Sequence, residues 1–268
     1  MPTGLPPAAG APRAAAPPAR RPSRARGWLA ALWPALLPSA CALCGARCAQ
    51  ALCAPCHAQF FGAARPRCRV CANPLGAPDA AQDEQRQAAV CGACLAQAPA
   101  FDASVAAADY AMPLDQLVLQ LKFGARLAHA ALFARTLYDA AQALPGFEPP
   151  ALLCPVPLGA RRLAGRGFNQ ALEIARPLSQ LLGVALHPRL AVRVRETAAQ
   201  SRVQPSERGA NIARAFAVSD AALVRGRHIG IVDDVMTSGQ TLNELAATFK
   251  RYGAARVSNL VFARTPPH

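Results

Sequence analysis

The sequence predicts an α/β fold, a mainly parallel sheet flanked by helices, preceded by a small Cys-rich metal-binding module. Three observations predict it. Four Cys-x-x-Cys pairs crowd the stretch from Cys41 to Cys94. The last third alternates a buried-type strand (Ile229 to Val232), a helix with Leu242, Leu245, Ala246 and Phe249 at helical spacing, and a second strand (Val257 to Phe262). Strand, helix, strand at that spacing makes a right-handed parallel crossover. Finally, a paired acid and a hydroxyl-rich turn stand at the end of the first of those strands, where such sheets bind ligands.

The organisation expected is a tail with a short apolar helix over 1–40, the Cys-rich module over 41–98 and the α/β domain over 99–268. The 268 residues suffice to bury a real core. The net charge is +14, with Arg13, Arg20, Arg21, Arg24 and Arg26 inside the tail. A basic surface attracts nucleic acid, anionic lipid or phosphorylated ligands, and charge alone does not choose among them. A merely solvated basic face accounts for it equally well.

Residues 1 to 27 are nearly all Ala, Pro, Gly and Arg and cannot bury enough apolar surface to offset the entropy of ordering. The apolar stretch Trp28 to Leu37, interrupted by Pro34, is too short to span a bilayer, so no transmembrane segment is expected. With Arg20-Arg21 before it and Cys41 after it, this stretch mimics an export signal. Pro38 stands where such signals carry an aliphatic residue, and Cys41 belongs to a Cys pair. A short amphipathic helix is expected instead.

The pairs are Cys41/Cys44, Cys53/Cys56, Cys68/Cys71 and Cys91/Cys94. Two thiolates separated by two residues grip a metal from one tight turn, and two such turns complete the tetrahedron that zinc prefers. Gly45, Pro55 and Gly92 suit those turns. Disulfides need an oxidising compartment, and a redox motif needs one pair rather than four. Zinc is therefore expected, in closed all-Cys sites whose duty is structural. The sequential pairing joins 41/44 with 53/56 and 68/71 with 91/94; the spacing also leaves open an interleaved pairing or a single filled site. Cys48 reads as a spare thiol and Cys154 as a small buried hydrophobe.

From Phe101 the texture changes. Val105 to Tyr110 reads as a strand, Leu114 to Leu121 as a helix broken at Gly124, and Leu127 to Leu144 as a helix ended by Pro145-Gly146. Leu152 to Val156 reads as a strand. Asn169 is the expected N-cap of a helix running to Leu182, stopped by Gly183. Pro177 should kink that helix or start a new one.

The chemistry concentrates at Ile231-Val232-Asp233-Asp234-Val235-Met236-Thr237-Ser238-Gly239-Gln240-Thr241. Two carboxylates at a strand tip accept hydrogen bonds from vicinal hydroxyls such as a ribose presents. The turn around Gly239 then opens a helix whose free N–H groups, hydroxyls and positive end suit a phosphate. An ordinary helix cap needs only one such residue. No P-loop pattern accompanies it, which argues against ATP hydrolysis.

Apolar strand, Asp-Asp, then Thr-Ser-Gly-x-Thr resembles the phosphoribosyl diphosphate (PRPP) motif of type I phosphoribosyltransferases. The resemblance implies that Asp233 and Asp234 hold the ribose hydroxyls, and that Thr237, Ser238, Gly239, Gln240 and Thr241 cradle the 5′-phosphate. From Cys41 onward the chain looks like the ComF family of competence-associated proteins. The carriers are the Cys pairs, Leu121-Lys122-Phe123, Pro155-Val156-Pro157, Arg166-Gly167-Phe168-Asn169-Gln170, Arg195 to Arg208 with Thr197 and Gln200, Asn211, Phe216 and the PRPP motif. The implied fold is a type I phosphoribosyltransferase-like domain behind a zinc-ribbon module. By position, Pro155 to Arg166 would be the diphosphate loop, with Arg161, Arg162 and Arg166 as its catalytic cations, and Arg193 to Asn211 a movable flap. Mg²⁺ would accompany PRPP, and a nitrogen acceptor would attack as diphosphate departs. The chain start offers no Cys, so glutamine amidotransfer is not expected. The family implies a cytoplasmic protein handling single-stranded DNA or meeting competence-machinery proteins; a non-enzymatic PRPP-sensing adaptor is the competing expectation.

Overall fold

A computed structural model of the protein describes residues 39–62, 65–76, 90–194 and 215–266. Residues 1–38 of the expected tail, with its apolar helix, therefore lie outside the described residues, as do 195–211 of the expected flap; Ser39–Ala40, read as the end of the tail, instead pair with Arg47–Cys48. Among the described residues no helix is long and apolar enough to cross a membrane.

Long β-branched and aliphatic runs form the centre. In chain order, β1 (Ser39–Ala40), β2 (Arg47–Cys48), α1 (Ala54–Phe61) and α2 (Gly92–Ala96) make the Cys-rich part. Then follow β3 (Ala103–Asp109), α3 (Leu114–Phe123), α4 (Ala128–Gln142), β4 (Leu152–Pro155), α5 (Ala160–Arg166) and α6 (Gln170–Leu182). β5 (Ala185–Leu186), β6 (Ala191–Arg193), β7 (Phe216–Val218), β8 (His228–Met236), α7 (Gln240–Arg251) and β9 (Arg256–Arg264) complete it. The main sheet has the order β3-β9-β8-β4-β5 and every pairing in it is parallel. The parallel α/β expectation is borne out, since consecutive parallel strands need helical crossovers.

Alternation along the strands divides the core in two. Leu152, Cys154, Ile229, Ile231, Val257 and Val261 pack on one face with Leu242, Leu245, Ala246 and Phe249 of α7. Leu153, Val232, Leu260 and Phe262 pack on the other with α3, α4 and α6. Phe133 of α4 stacks on Phe262, ring centroids 3.6 Å apart.

Local signals placed several boundaries well. The Asn169 side chain accepts from the Ala171 N–H at 3.0 Å, and Gly183 ends α6 in the left-handed conformation at φ 67°. Pro177 starts no new helix; α6 runs through it. Two readings change. β8 continues to Met236, because β9 pairs with it through Asp233↔Val261, Val235↔Ala263 and Met236↔Arg264. The segment read as a diphosphate loop holds the helix α5, begun at Gly159 and closed by Gly167 at φ 81°. A short antiparallel pair, β6 with β7, flanks the 195–214 stretch.

Candidate functional site

One cleft opens at the carboxyl end of the sheet. Asp233, Asp234 and every residue from Thr237 to Thr241 line it, together with Val156 to Leu158, Arg162, Gln170, Lys122, Tyr110 and Arg193. The two aspartates thus reach the same cavity as the turn, not the hydrophobic interior. The Asp234 N–H donates to Asp233 Oδ1 at 2.9 Å, which fixes one carboxylate against the next backbone unit. Desolvation first, then the adjacent Asp234 charge, raises the Asp233 carboxyl well above its usual 3.8, against the opposing pull of Lys122. Asp234 is almost fully buried and pairs with Lys122, Nζ to Oδ2 at 2.6 Å.

Gly239 is the N-cap of α7 at φ 76°, a conformation that side-chain-bearing residues rarely adopt. A Cβ there would lie 2.6 Å from Met236 Cε. The first N–H groups of α7 have no intrahelical acceptor and so can meet an anion. Behind the turn stands Arg264, which is 7% exposed. Its Nη1 donates to the carbonyls of Met236 (3.0 Å), Thr237 and Thr265 (2.7 Å), while Nε donates to the Cys71 carbonyl at 3.0 Å. With these carbonyls turned back toward the sheet, the turn keeps its shape.

The three arginines separate. Arg162 lines the cleft. Arg166 lies one turn further along the same face of α5; its Nη1 donates to Gln170 Oε1 and its guanidinium sits 5.5 Å from the Phe123 ring centre. Burial lowers its pKa, while the charges of Asp234 and Asp233 work the other way, which puts it within electrostatic reach of the acids. Arg161 is exposed and outside the cleft lining, because adjacent helix positions face about 100° apart. Sequence reasoning missed four residues here. Lys122 appeared only as part of a resemblance, Arg193 only as the first flap residue and Tyr110 only as a strand residue, while Arg264 lay beyond the strand read over Val257 to Phe262. No local pattern marks any of them.

The cysteines gather sequentially. Cys41, Cys44, Cys53 and Cys56 form one cluster and Cys68, Cys71, Cys91 and Cys94 another, the ligand atoms of each lying within 4.8 Å of one another. Cys44 Sγ and Cys53 Sγ are 3.6 Å apart, as are Cys71 Sγ and Cys91 Sγ. That matches the edge of a tetrahedron with arms of about 2.3 Å, the zinc–thiolate length. Each cluster repeats one design. A first pair sits in a turn, with Gly45 N–H donating to Cys41 O and Ala72 N–H to Cys68 O, and a second pair opens a helix, α1 or α2. Without a cation the thiols compete. Burial raises Cys41, yet backbone N–H groups of Cys44, Cys53 and Leu43 bring it down to about 6; Cys56, beside Cys53, is pushed up to about 12. The second cluster splits likewise, Cys68 down to about 7 and Cys71, through burial, up to about 11. A dication resolves that competition, so both clusters fit structural zinc. Cys48 donates to Gln50 O at 2.9 Å, outside both clusters, and Cys154 is a buried thiol pushed up to about 12 by desolvation.

Comparison with known proteins agrees with this architecture. A phosphoribosyl transferase domain family matches residues 168–267 and a double zinc ribbon domain family matches residues 32–95. The DNA utilization protein YhgH of Salmonella typhimurium is 39% identical over 178 residues, covering 65% of this chain and 78% of that protein. Competence protein F of Haemophilus influenzae is 32% identical over 218 residues, covering 80% of this chain and 90% of that one. Among solved structures, the glutamine PRPP amidotransferase from B. subtilis aligns with 49% of this chain and 26% of its own at 16% identity and a TM-score of 0.33, a likeness too slight to argue from. Two zinc ribbons fused to a phosphoribosyl transferase domain, and relatives matched over most of their length, place this chain in the ComF family with competence protein F and YhgH.

Proposed function

We propose that the chain is a PRPP-binding, phosphoribosyltransferase-like protein that transfers phosphoribosyl to a nitrogen acceptor. The observation that carries the reading is the shared cleft: twin aspartates and the Gly239 turn face one cavity. In this reading Asp233 and Asp234 accept the ribose 2- and 3-hydroxyls, and Thr237, Ser238, Gly239, Gln240 and Thr241 hold the 5′-phosphate. Arg162 and Arg166 stabilise the negative charge that grows on the departing diphosphate, an electrostatic task that needs preplaced cations. Mg²⁺ would accompany the diphosphate and supply positive charge there, which suits a cation that keeps its waters and takes few protein carboxylates. Catalysis on this plan is positioning plus charge stabilisation.

The names of the relatives favour a setting for it. Proteins called for DNA utilization and competence suggest that this one also serves DNA uptake, by turnover or as an adaptor that senses PRPP and meets single-stranded DNA or competence-machinery proteins. Free thiols arranged for metal rather than as disulfides fit a reducing, cytoplasmic location.

The test is calorimetry with PRPP on the wild type and on Asp233→Asn/Asp234→Asn. The double variant should lose PRPP binding while keeping its zinc; unchanged affinity would mean the pocket is wrong. Diphosphate release with a panel of bases and amines separates enzyme from adaptor. Release with one acceptor supports transfer, whereas no release together with a steep salt dependence of single-strand binding supports the adaptor.

A further inference from the structure

The cleft contains a cation that belongs to neither the acidic motif nor the arginine helix. Lys122 is one of only two lysines in the chain. It projects from the last turn of α3 and pairs with Asp234 at 2.6 Å, its own side chain 22% exposed against 3% for the carboxylate. The carboxylate side of the pair is dry and the ammonium side faces the cleft that Lys122 lines.

We propose that Lys122 is a ligand of the PRPP diphosphate, held on Asp234 until the ribose hydroxyls displace it. The inference rests on the PRPP reading of this cleft and names a contact that reading does not include. Two adjoining carboxylates in a desolvated cleft repel each other, and a cation on one of them relieves that cost. When vicinal hydroxyls arrive, they take over the carboxylate oxygens and the ammonium is released. The stereochemistry of PRPP decides where it goes. The diphosphate on C1 and the hydroxyls on C2 and C3 project from the same face of the ribose, with C1 and C2 bonded to each other. A cation resting on the carboxylate that receives those hydroxyls is therefore already on the diphosphate's side.

The neighbourhood supports this. Arg166 of α5 stands over the ring of Phe123, the residue after Lys122, so α3 and α5 meet at this corner of the cleft. Two separate elements thus bring cations to the neighbourhood of the paired acids. A compact ammonium with three donors on a flexible stem can leave a carboxylate for a phosphate by rotating about its own bonds, which a planar guanidinium held in a fork does less readily.

The test compares PRPP with ribose 5-phosphate, which keeps the hydroxyls and 5′-phosphate but lacks the diphosphate. Affinities are measured by calorimetry on the full chain for wild type, Lys122→Met and Lys122→Arg, each in EDTA and in Mg²⁺. Lys122→Met should lose about tenfold or more for PRPP in EDTA, the size expected for one charge-assisted contact to a phosphate. Mg²⁺ should narrow that gap, and Lys122→Arg should recover part of it. Ribose 5-phosphate should bind Lys122→Met at least as well as wild type, because its hydroxyls no longer compete with an ammonium. Equal weakening for both ligands, or no weakening for either, overturns the proposal and leaves the PRPP reading standing. A wild type that binds neither ligand overturns both.

Discussion

The two Cys clusters share a ligand plan and differ in what they hold. The first packs with α3, α4 and α6: Cys41, Leu52 and Cys56 join that core, and Phe61 of α1 tilts against Phe262, centroids 6.3 Å apart. The second packs on the opposite face with α7, β6 and β7. Its Cys71 carbonyl receives Arg264, whose other donors grip Met236 and Thr237 at the base of the turn that opens α7. Arg67 and Arg65 beside it pair with Asp109 at the end of β3, at 2.8 and 3.2 Å. The difference teaches that one ribbon braces the back of the sheet, while the other is wired to the mouth of the cleft. Metal in the second site is thereby a support of the turn as well as of its own fold.

The sharpest way to break that distinction is to remove one zinc at a time. Cys71→Ser should retain the first zinc, lose the second and weaken PRPP binding by about 10- to 100-fold, as loss of the groups that orient a site does. Cys44→Ser should lose the first zinc and leave PRPP affinity within about twofold. Metal content and calorimetry on both variants decide it, and equal losses of affinity would erase the asymmetry.

Next comes the wire itself. Arg264→Met keeps every thiol but strands buried carbonyls on both sides, at a cost of about 3 kcal/mol in stability. Denaturant unfolding should show that loss with both zinc ions still bound, and PRPP affinity should fall with it.

A glycine in each region sharpens the comparison further. Gly45→Ala and Gly239→Ala both force a side chain into the left-handed region, φ 74° and 76°, at about 1–2 kcal/mol each. Open space surrounds Gly45, whereas Gly239 faces Met236. Thermal melts should show the larger loss for Gly239→Ala, where buried Met236 must also shift, and only that variant should impair PRPP binding.

The smallest effect concerns the cost of keeping the cleft acidic. The Asp233 carboxyl is raised above its usual 3.8 in the fold. Its contribution therefore favours folding at low pH and is lost as pH rises through the raised value. Asp233→Asn should be more stable than wild type at neutral pH by about 1 kcal/mol, the common trade of function for stability. That advantage should shrink on acidification toward pH 4, which melts across a pH series would register.

How much was legible follows from how far each signal reaches. The α6 limits were readable because Asn169 and Gly183 act within a turn of themselves. The end of β8 was not, because paired acids look like a turn until β9 continues alongside them. Helix α5 hid behind Pro157 and Gly159, and β6 with β7 were too short to carry a periodic pattern. The turn around Gly239 was visible as a contiguous motif, while Lys122 and Arg264 carried no local mark.

The amino-acid order by itself determined the thiol spacing, the helix caps, the alternation of strand and helix, and the acid-plus-turn motif. Each of these depends on neighbours within a few residues. Only the tertiary structure decided which Cys pairs share a cluster, which arginines face the cleft, that Lys122 meets Asp234, and that Arg264 reaches Cys71 across 193 positions. Those pairings follow from strand order and from the desolvation that makes a buried charge seek a partner, and neither exists until the sheet is assembled.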